Sequence, residues 1–204
     1  EMLITFEGID GCGKSTISRE VYEELKKKGF DAVWSREPGV TAVGQKIREM
    51  VLLSSDSMDN MTEVLLFAAN RAQHVAEIIA PCISEGKIVV LDRYVDSSIV
   101  YQGYARQVGM EDVYAINKYA IKGFLPDITV IIDTPPEIAM KRMKDKNPDR
   151  IEKEGLSFQK KLQKGFHMLV EFFPQRNFLF VDGSLPVSEI KNEVMDYIKK
   201  IAGL

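Results

Sequence analysis

The apolar positions change period repeatedly along the chain. Leu3 to Phe6 is a short apolar run bounded by Gly8, as expected of a buried strand. From Lys14 to Lys28 the apolar residues Ile17, Val21 and Leu25 fall every fourth position, which predicts a helix stopped by Gly29. Ala32-Val33-Trp34 reads as a strand, and Val43, Ile47 and Val51 mark a second helix. Met61 to Ser84 predicts one long helix bent at Pro81. Ile88 to Leu91 is the clearest strand: four apolar residues without alternation, so both faces are expected to be covered. Helices over 112–121, 136–144, 156–173 and 187–201 then alternate with strands over 128–132 and 178–181. Strands alternating with helices predict an α/β fold: a parallel sheet of about five strands with helices on both faces.

Composition narrows the class. The 204 residues hold 27 Lys+Arg and 30 Asp+Glu, a net charge of −3, with 45% hydrophobic residues. Such a chain can bury a sufficient core without disulfides or a structural metal, and Cys12 and Cys82 form no framework for either. No apolar run reaches the length of a membrane span. The slightly acidic balance argues against affinity gained by neutralising nucleic-acid phosphates. A soluble, cytoplasmic protein with no nucleic-acid or membrane partner is expected. Glu1 stands ahead of Met2 and is left out of the fold reasoning.

The segment Gly8-Ile9-Asp10-Gly11-Cys12-Gly13-Lys14-Ser15, followed by Thr16, fits G-x-x-x-x-G-K-[ST] between a predicted strand and a predicted helix. Such a loop turns successive backbone N–H groups onto phosphate oxygens, and the helix N-terminus adds its dipole. Lys14 can reach the β- and γ-phosphates, and the Ser15 hydroxyl can ligate Mg²⁺. A GTPase is disfavoured, because Asn117-Lys118-Tyr119 is followed by Ala120 rather than by a carboxylate. Asp92-Arg93 ends a strand where open parallel sheets bind ligands. Asp92 there can hold a Mg²⁺-bound water, and Arg93 can bind a second phosphate. Ser97, Ser98, Tyr101 and Gln102 follow closely and can read a base edge. Glu63, Phe67 and Arg71 share one helix face, which suits either a ring and guanidinium facing a nucleobase or an Arg71–Glu63 pair with Phe67 in the core. His74 and His167 read as helix-surface histidines. Ten of the fourteen residues from Lys141 to Glu154 are charged, fitting a solvated loop or a mobile lid.

Taken together, these segments resemble the thymidylate kinase family of P-loop nucleoside monophosphate kinases. The phosphate loop, Arg36-Glu37-Pro38-Gly39, Glu63 to His74, Asp92-Arg93-Tyr94, Ser97 to Gly103 and Asp149-Arg150-Ile151-Glu152 carry the resemblance, which spans nearly the whole chain. It implies a single domain over 2–204 with a short mobile lid near 141–154, transfer of the γ-phosphate of MgATP to dTMP, and a homodimer. It also implies that Phe67 stacks on thymine and Arg71 donates to its O4. Ser98 and Gln102 would lie near N3, and Tyr101 by the sugar. Arg36, Arg48 and Arg93 would bind the dTMP phosphate, with Asp10 and Glu37 around the acceptor sugar and transfer site. Gly11 stands where some members carry arginine, so the catalytic cation is expected from the lid, with Arg142, Lys144, Lys146 and Arg150 as candidates. The segment Asp182-Gly183-Ser184 would border the donor base. Another acceptor (dUMP or a purine monophosphate) and a non-catalytic nucleotide-binding module are the competing readings.

Overall fold

A computed structural model describes residues 1–54, 57–144 and 147–203. Five strands form one all-parallel sheet in the order β2-β3-β1-β4-β5. They are β1 (Met2–Glu7), β2 (Ala32–Arg36), β3 (Ile88–Asp92), β4 (Ile128–Asp133) and β5 (Phe178–Asp182). The register aligns their carboxyl ends: Arg36 and Phe6 both pair with Asp92, Glu7 with Ile131, and Asp133 with Asp182. Each strand therefore runs from an apolar body to a polar last residue at one rim. β1 leaves that rim toward β2 while its neighbour β3 leaves toward β4, the arrangement that opens a crevice between their loops. β3 is buried along its whole length, as its unbroken apolar run requires.

Helix α1 (Lys14–Lys27) buries Ile17, Val21 and Leu25 against the sheet and packs on the last helix. α2 (Ala42–Arg48) is capped by the Thr41 hydroxyl and widens into a π-turn over Glu49–Leu53. α3 (Asn60–His74) is capped by Asp59, whose carboxylate accepts from the amides of Met61 and Thr62. The long helix expected over 61–84 is interrupted one turn before Pro81, where Val75–Ile79 forms a π-turn leading into α4 (Ala80–Ser84). Proline offers no N–H to the Glu77 carbonyl and its ring crowds that group; a wider turn relieves both.

Residues 95–105, which showed no helical period, are helical: α5 (Val95–Ser98) runs into a π-turn over Ile99–Ala105. Asp96, Ser98 and Gln102 are buried there beside Val95, Ile99 and Val100, so burial does not follow polarity and the pattern is hidden. The remaining helices are α6 (Met110–Ile121), α7 (Pro136–Arg142), α8 (Gly155–Phe172) and α9 (Val187–Ala202). A short 3₁₀ turn over Glu152–Glu154 precedes α8. α8 covers the 99–105 segment, and α3 packs on α6.

One buried ion pair ties these layers together below the crevice. Arg176 donates to both oxygens of Asp96 (2.7 and 2.6 Å) and to the Thr129 hydroxyl, and its guanidinium lies between the Phe173 and Phe178 rings. Removing one partner of such a pair leaves an uncompensated buried charge. Asp96→Ala is therefore expected to lower the unfolding free energy by about 3–5 kcal/mol in urea titrations, against well under 1 kcal/mol for exposed Asp196→Ala.

Candidate functional site

The loop after β1 wraps the start of α1. Gly11 takes φ +78, and a Cβ there would lie 2.3 Å from the Ala139 carbonyl of α7. Only glycine fits that position. Lys14 is mostly buried; its ammonium donates to the Ile9 carbonyl (3.1 Å) and lies 3.8 Å from Asp10 Oδ1. The Ser15 hydroxyl donates to Asp92 Oδ2 (2.5 Å), while Asp92 Oδ1 is buried with no hydrogen-bond partner among the described residues. A hydroxyl beside a carboxylate oxygen in need of a partner suits Mg²⁺, which takes one or two protein oxygens and fills its octahedron with phosphates and water. Among the described residues no cluster of three or more His, Cys, Asp or Glu could hold a metal alone. Cys12 is buried, and burial raises its thiol pKa, so it packs as a small inert residue.

Arg93 joins the two halves of the crevice. It adopts φ +72, which turns its guanidinium back across the loop. There it pairs with Asp10 and donates to Ser97 Oγ (2.9 Å), Tyr101 Oη (3.0 Å) and the Gly8 carbonyl (3.3 Å). Tyr101 in turn donates to the other Asp10 oxygen at 2.9 Å. Burial works to raise the Asp10 carboxyl, but Arg93 and Lys14 outweigh it and hold it below the usual range. Beneath Arg93, Glu7 accepts from the Tyr94 amide (2.7 Å) and the Ser97 hydroxyl (2.5 Å). Burial, then the charge of Asp96, pushes Glu7 from an ordinary 4.5 up to about 7.

A cavity of about 250 Å³ runs from this centre to α3. Of the expected residues it brings together Asp10, Gly11, Lys14, Ser15, Asp92 and Arg93 at one end. Ser97 and Tyr101, bonded to Arg93, stand beside them, and Phe67, Arg71, Ser98, Gln102, Arg36, Glu37 and Arg48 line the same cavity. Gly8, Ile9, Cys12, Gly13 and Thr16 belong to the loop but not to the cavity wall. Burial and then the neighbouring Arg36 lower the pKa of Arg48, the signature of two like charges facing one space. Arg71 is not paired with Glu63. It binds Glu37 (2.8 Å), Ser98 Oγ (3.0 Å), the Tyr94 carbonyl (3.0 Å) and Asn117. His74 is not a surface histidine: it is 1% exposed and bridges Glu37 (3.0 Å) and Ser35 (2.8 Å), bracing the carboxylate that holds Arg71. His167 does lie on the surface, paired with Asp133 and stacked on Phe180.

The four lid candidates separate. Arg142 donates to the carbonyls of Cys12 (3.2 Å) and Gly183 (2.9 Å), at the back of the phosphate loop. Gly183 thus lies beside that loop. Lys144 is exposed, and Lys146 lies outside the described residues. Arg150 is turned to the opposite end of the cavity, paired with Glu63 and bonded to the Val51 carbonyl at 2.8 Å. Met143, Asp149, Ile151 and Glu152 also line the cavity. The Asp149–Glu152 motif gave the last of these no role. Asn117, considered in the sequence only as the start of an incomplete guanine-binding motif, is a partner of Arg71.

A family model described as thymidylate kinase matches residues 6–194. A thymidylate kinase of Thermoanaerobacter sp. (strain X514) is 48% identical over 197 residues, 97% of each chain. One of Clostridium novyi (strain NT) is 40% identical, over 96% of this chain and 97% of its own. The crystal structure of thymidylate kinase from Ehrlichia chaffeensis superposes with a TM-score of 0.78 at 30% identity, covering 97% of this chain and 98% of that one.

The raised Glu7 carboxyl makes stability pH-dependent. The folded state holds this proton more tightly than the unfolded chain, so the contribution is complete below about 4.5 and is lost as pH rises through about 7. The difference in unfolding free energy between wild type and Glu7→Gln should therefore shift against the wild type from pH 5 to pH 8. A pH-independent difference would contradict the assignment.

Proposed function

The chain belongs to the thymidylate kinase family, and on that premise we infer that it transfers the γ-phosphoryl group of ATP to dTMP, yielding dTDP and ADP. The observation that carries the mechanism is the sharing of Asp10 Oδ1 between Lys14 of the phosphate loop and Arg93 of the β3 loop. Two cationic, N–H-rich sites are adjacent, close enough for one phosphoryl group to pass between them.

The donor triphosphate lies along Gly8 to Thr16, its γ-phosphate at Lys14. The acceptor phosphate lies against Arg93, Arg36 and Arg48. An oxygen of the already ionised dTMP phosphate attacks the γ-phosphorus in line as the bond to the ADP oxygen breaks, so no general base is needed. Positioning and charge neutralisation do most of the work. Ser15 and Asp92 would hold Mg²⁺, which would neutralise charge on the β- and γ-phosphates. Phe67 stacks on thymine and Arg71 donates to O4; Arg71 Nε is buried without an acceptor among the described residues, which supports that role. Ser98 and Gln102 sit at N3, Tyr101 by the sugar, and Asp10 and Glu37 near the sugar and transfer site.

The segment 141–154 acts as the lid and supplies the remaining cation, excluding water as it closes. A homodimer is supported by α3, on which Val64 is core but Leu65 is 53% exposed. No described helix is long and apolar enough to cross a membrane, and we place the enzyme in the cytoplasm with its small-molecule substrates.

Coupled assays with ATP and Mg²⁺ across dTMP, dUMP, dCMP and purine monophosphates test the activity directly. dTMP should lead, with dUMP behind by about 10–200-fold, since one methyl group is worth about 1–3 kcal/mol. MgATP binding without turnover of any acceptor would leave only a binding module. Lys14→Met should cut kcat by about 10³ or more with the fold retained by circular dichroism. Among alanine variants at Arg142, Lys144, Lys146 and Arg150, one should lose about 10³–10⁵ in kcat; four unchanged values would remove the lid from the chemistry.

A further inference from the structure

Glu63 is 1% exposed on α3 and does not line the cavity, yet three side chains converge on it. Gln102 Nε2 donates to its Oε1 at 2.7 Å, Arg106 Nε donates to the same oxygen at 3.3 Å, and Arg150 pairs with Oε2. Arg106 is fixed in turn by Glu154 at 2.7 Å, and Arg150 by the Val51 carbonyl at 2.8 Å. Two held guanidinium groups on one carboxylate are far more than is needed to support a helix face.

Their consequence lies at Gln102. Burial works to raise the Glu63 carboxyl, but the bonds from Arg150 and Gln102 and the charge of Arg106 hold it low, so it is ionised at neutral pH. An ionised carboxylate only accepts. Of the two ends of the Gln102 amide, only the NH₂ can face it, which leaves the carbonyl oxygen as the end available to the cavity that Gln102 lines with Phe67, Arg71 and Ser98. Toward a base the pocket therefore presents the Arg71 guanidinium as donor and the Gln102 carbonyl as acceptor, with the Ser98 hydroxyl beside them already accepting from Arg71 at 3.0 Å. Thymine offers the complement: the O4 acceptor and the N3–H donor. Cytosine offers the reverse at both positions, an amino group and a bare N3.

We propose that Glu63 is a specificity-determining positioning residue, orienting the Gln102 amide so that the site accepts a base with a donor at N3 and rejects one with an acceptor there. This rests on reading the cavity as the dTMP site. Glu63 does not touch the substrate; it acts through Gln102. Glu63→Gln keeps shape and volume but can donate as well as accept, so the Gln102 amide is free to turn over.

The test is kcat/KM for dTMP and dCMP with MgATP in wild type, Glu63→Gln, Gln102→Leu and the double variant, with melting temperatures alongside. Glu63→Gln should lower kcat/KM for dTMP about tenfold, mainly through KM, and lower the dTMP/dCMP ratio by at least as much. In the Gln102→Leu background the same change should leave the ratio unaltered, because the group it acts through is gone. An unchanged ratio in folded Glu63→Gln, or an effect that persists without Gln102, overturns the proposal. The wild type gives a measurement that needs no variant: N3-methyl-dTMP, which lacks the donor, should be turned over at least 100-fold less efficiently than dTMP. Equal turnover of the two would also overturn it. Failure of the wild type to phosphorylate dTMP at all would instead sink the functional reading beneath it.

Discussion

The carboxylate of Asp10 is the point on which the crevice is organised. It holds the Lys14 ammonium and the Arg93 guanidinium together, and Tyr101 closes the arrangement from the third side. Without it, two buried cations from different loops would repel each other in a region of low dielectric. With it, they form one positive centre whose parts come from the loops after β1 and β3. The parallel register makes this possible, since Phe6 is level with Asp92 and both loops leave the sheet at the same height.

Around this centre the interior is unusually ionic. Arg176 and Asp96 fasten the floor, Glu7 props Ser97 beneath Arg93, and Glu37 with His74 fixes Arg71. Each charge has a partner or a set of backbone donors, as burial demands. A packed hydrocarbon core could fill the same volume, but it could not hold guanidinium planes at fixed angles to a cavity. The strand bodies and the inner faces of α1 and α9 supply the apolar packing that makes up for these groups.

The two ends of the basic 141–154 segment are used differently. Arg142 sits on carbonyls at the phosphate loop, and Arg150 is bound to Glu63 at the base end. Among the described residues, the part before 145 is thus tied to the Cys12 and Gly183 carbonyls and the part after 146 to Glu63, by one arginine each. Gly11 fits this arrangement: it lies against α7, the helix that leads into the segment, where a side chain would displace it.

Local chemistry made much of this readable in the sequence. Unbroken apolar runs specify strands buried on both faces, fourfold spacing specifies α1, and a glycine-rich turn before Lys14 specifies an anion site, because each property resides in consecutive residues. Tertiary structure alone decided what depends on residues distant in the chain. It paired Arg71 with Glu37 rather than Glu63, drew His74 inside, wound 95–105 into a helix whose buried residues are polar and apolar together, and paired Arg150 with Glu63. The physical reason is that a charged side chain is placed by whichever opposite charge it meets in the folded state, and spacing along one helix does not record what a neighbouring strand or loop will offer.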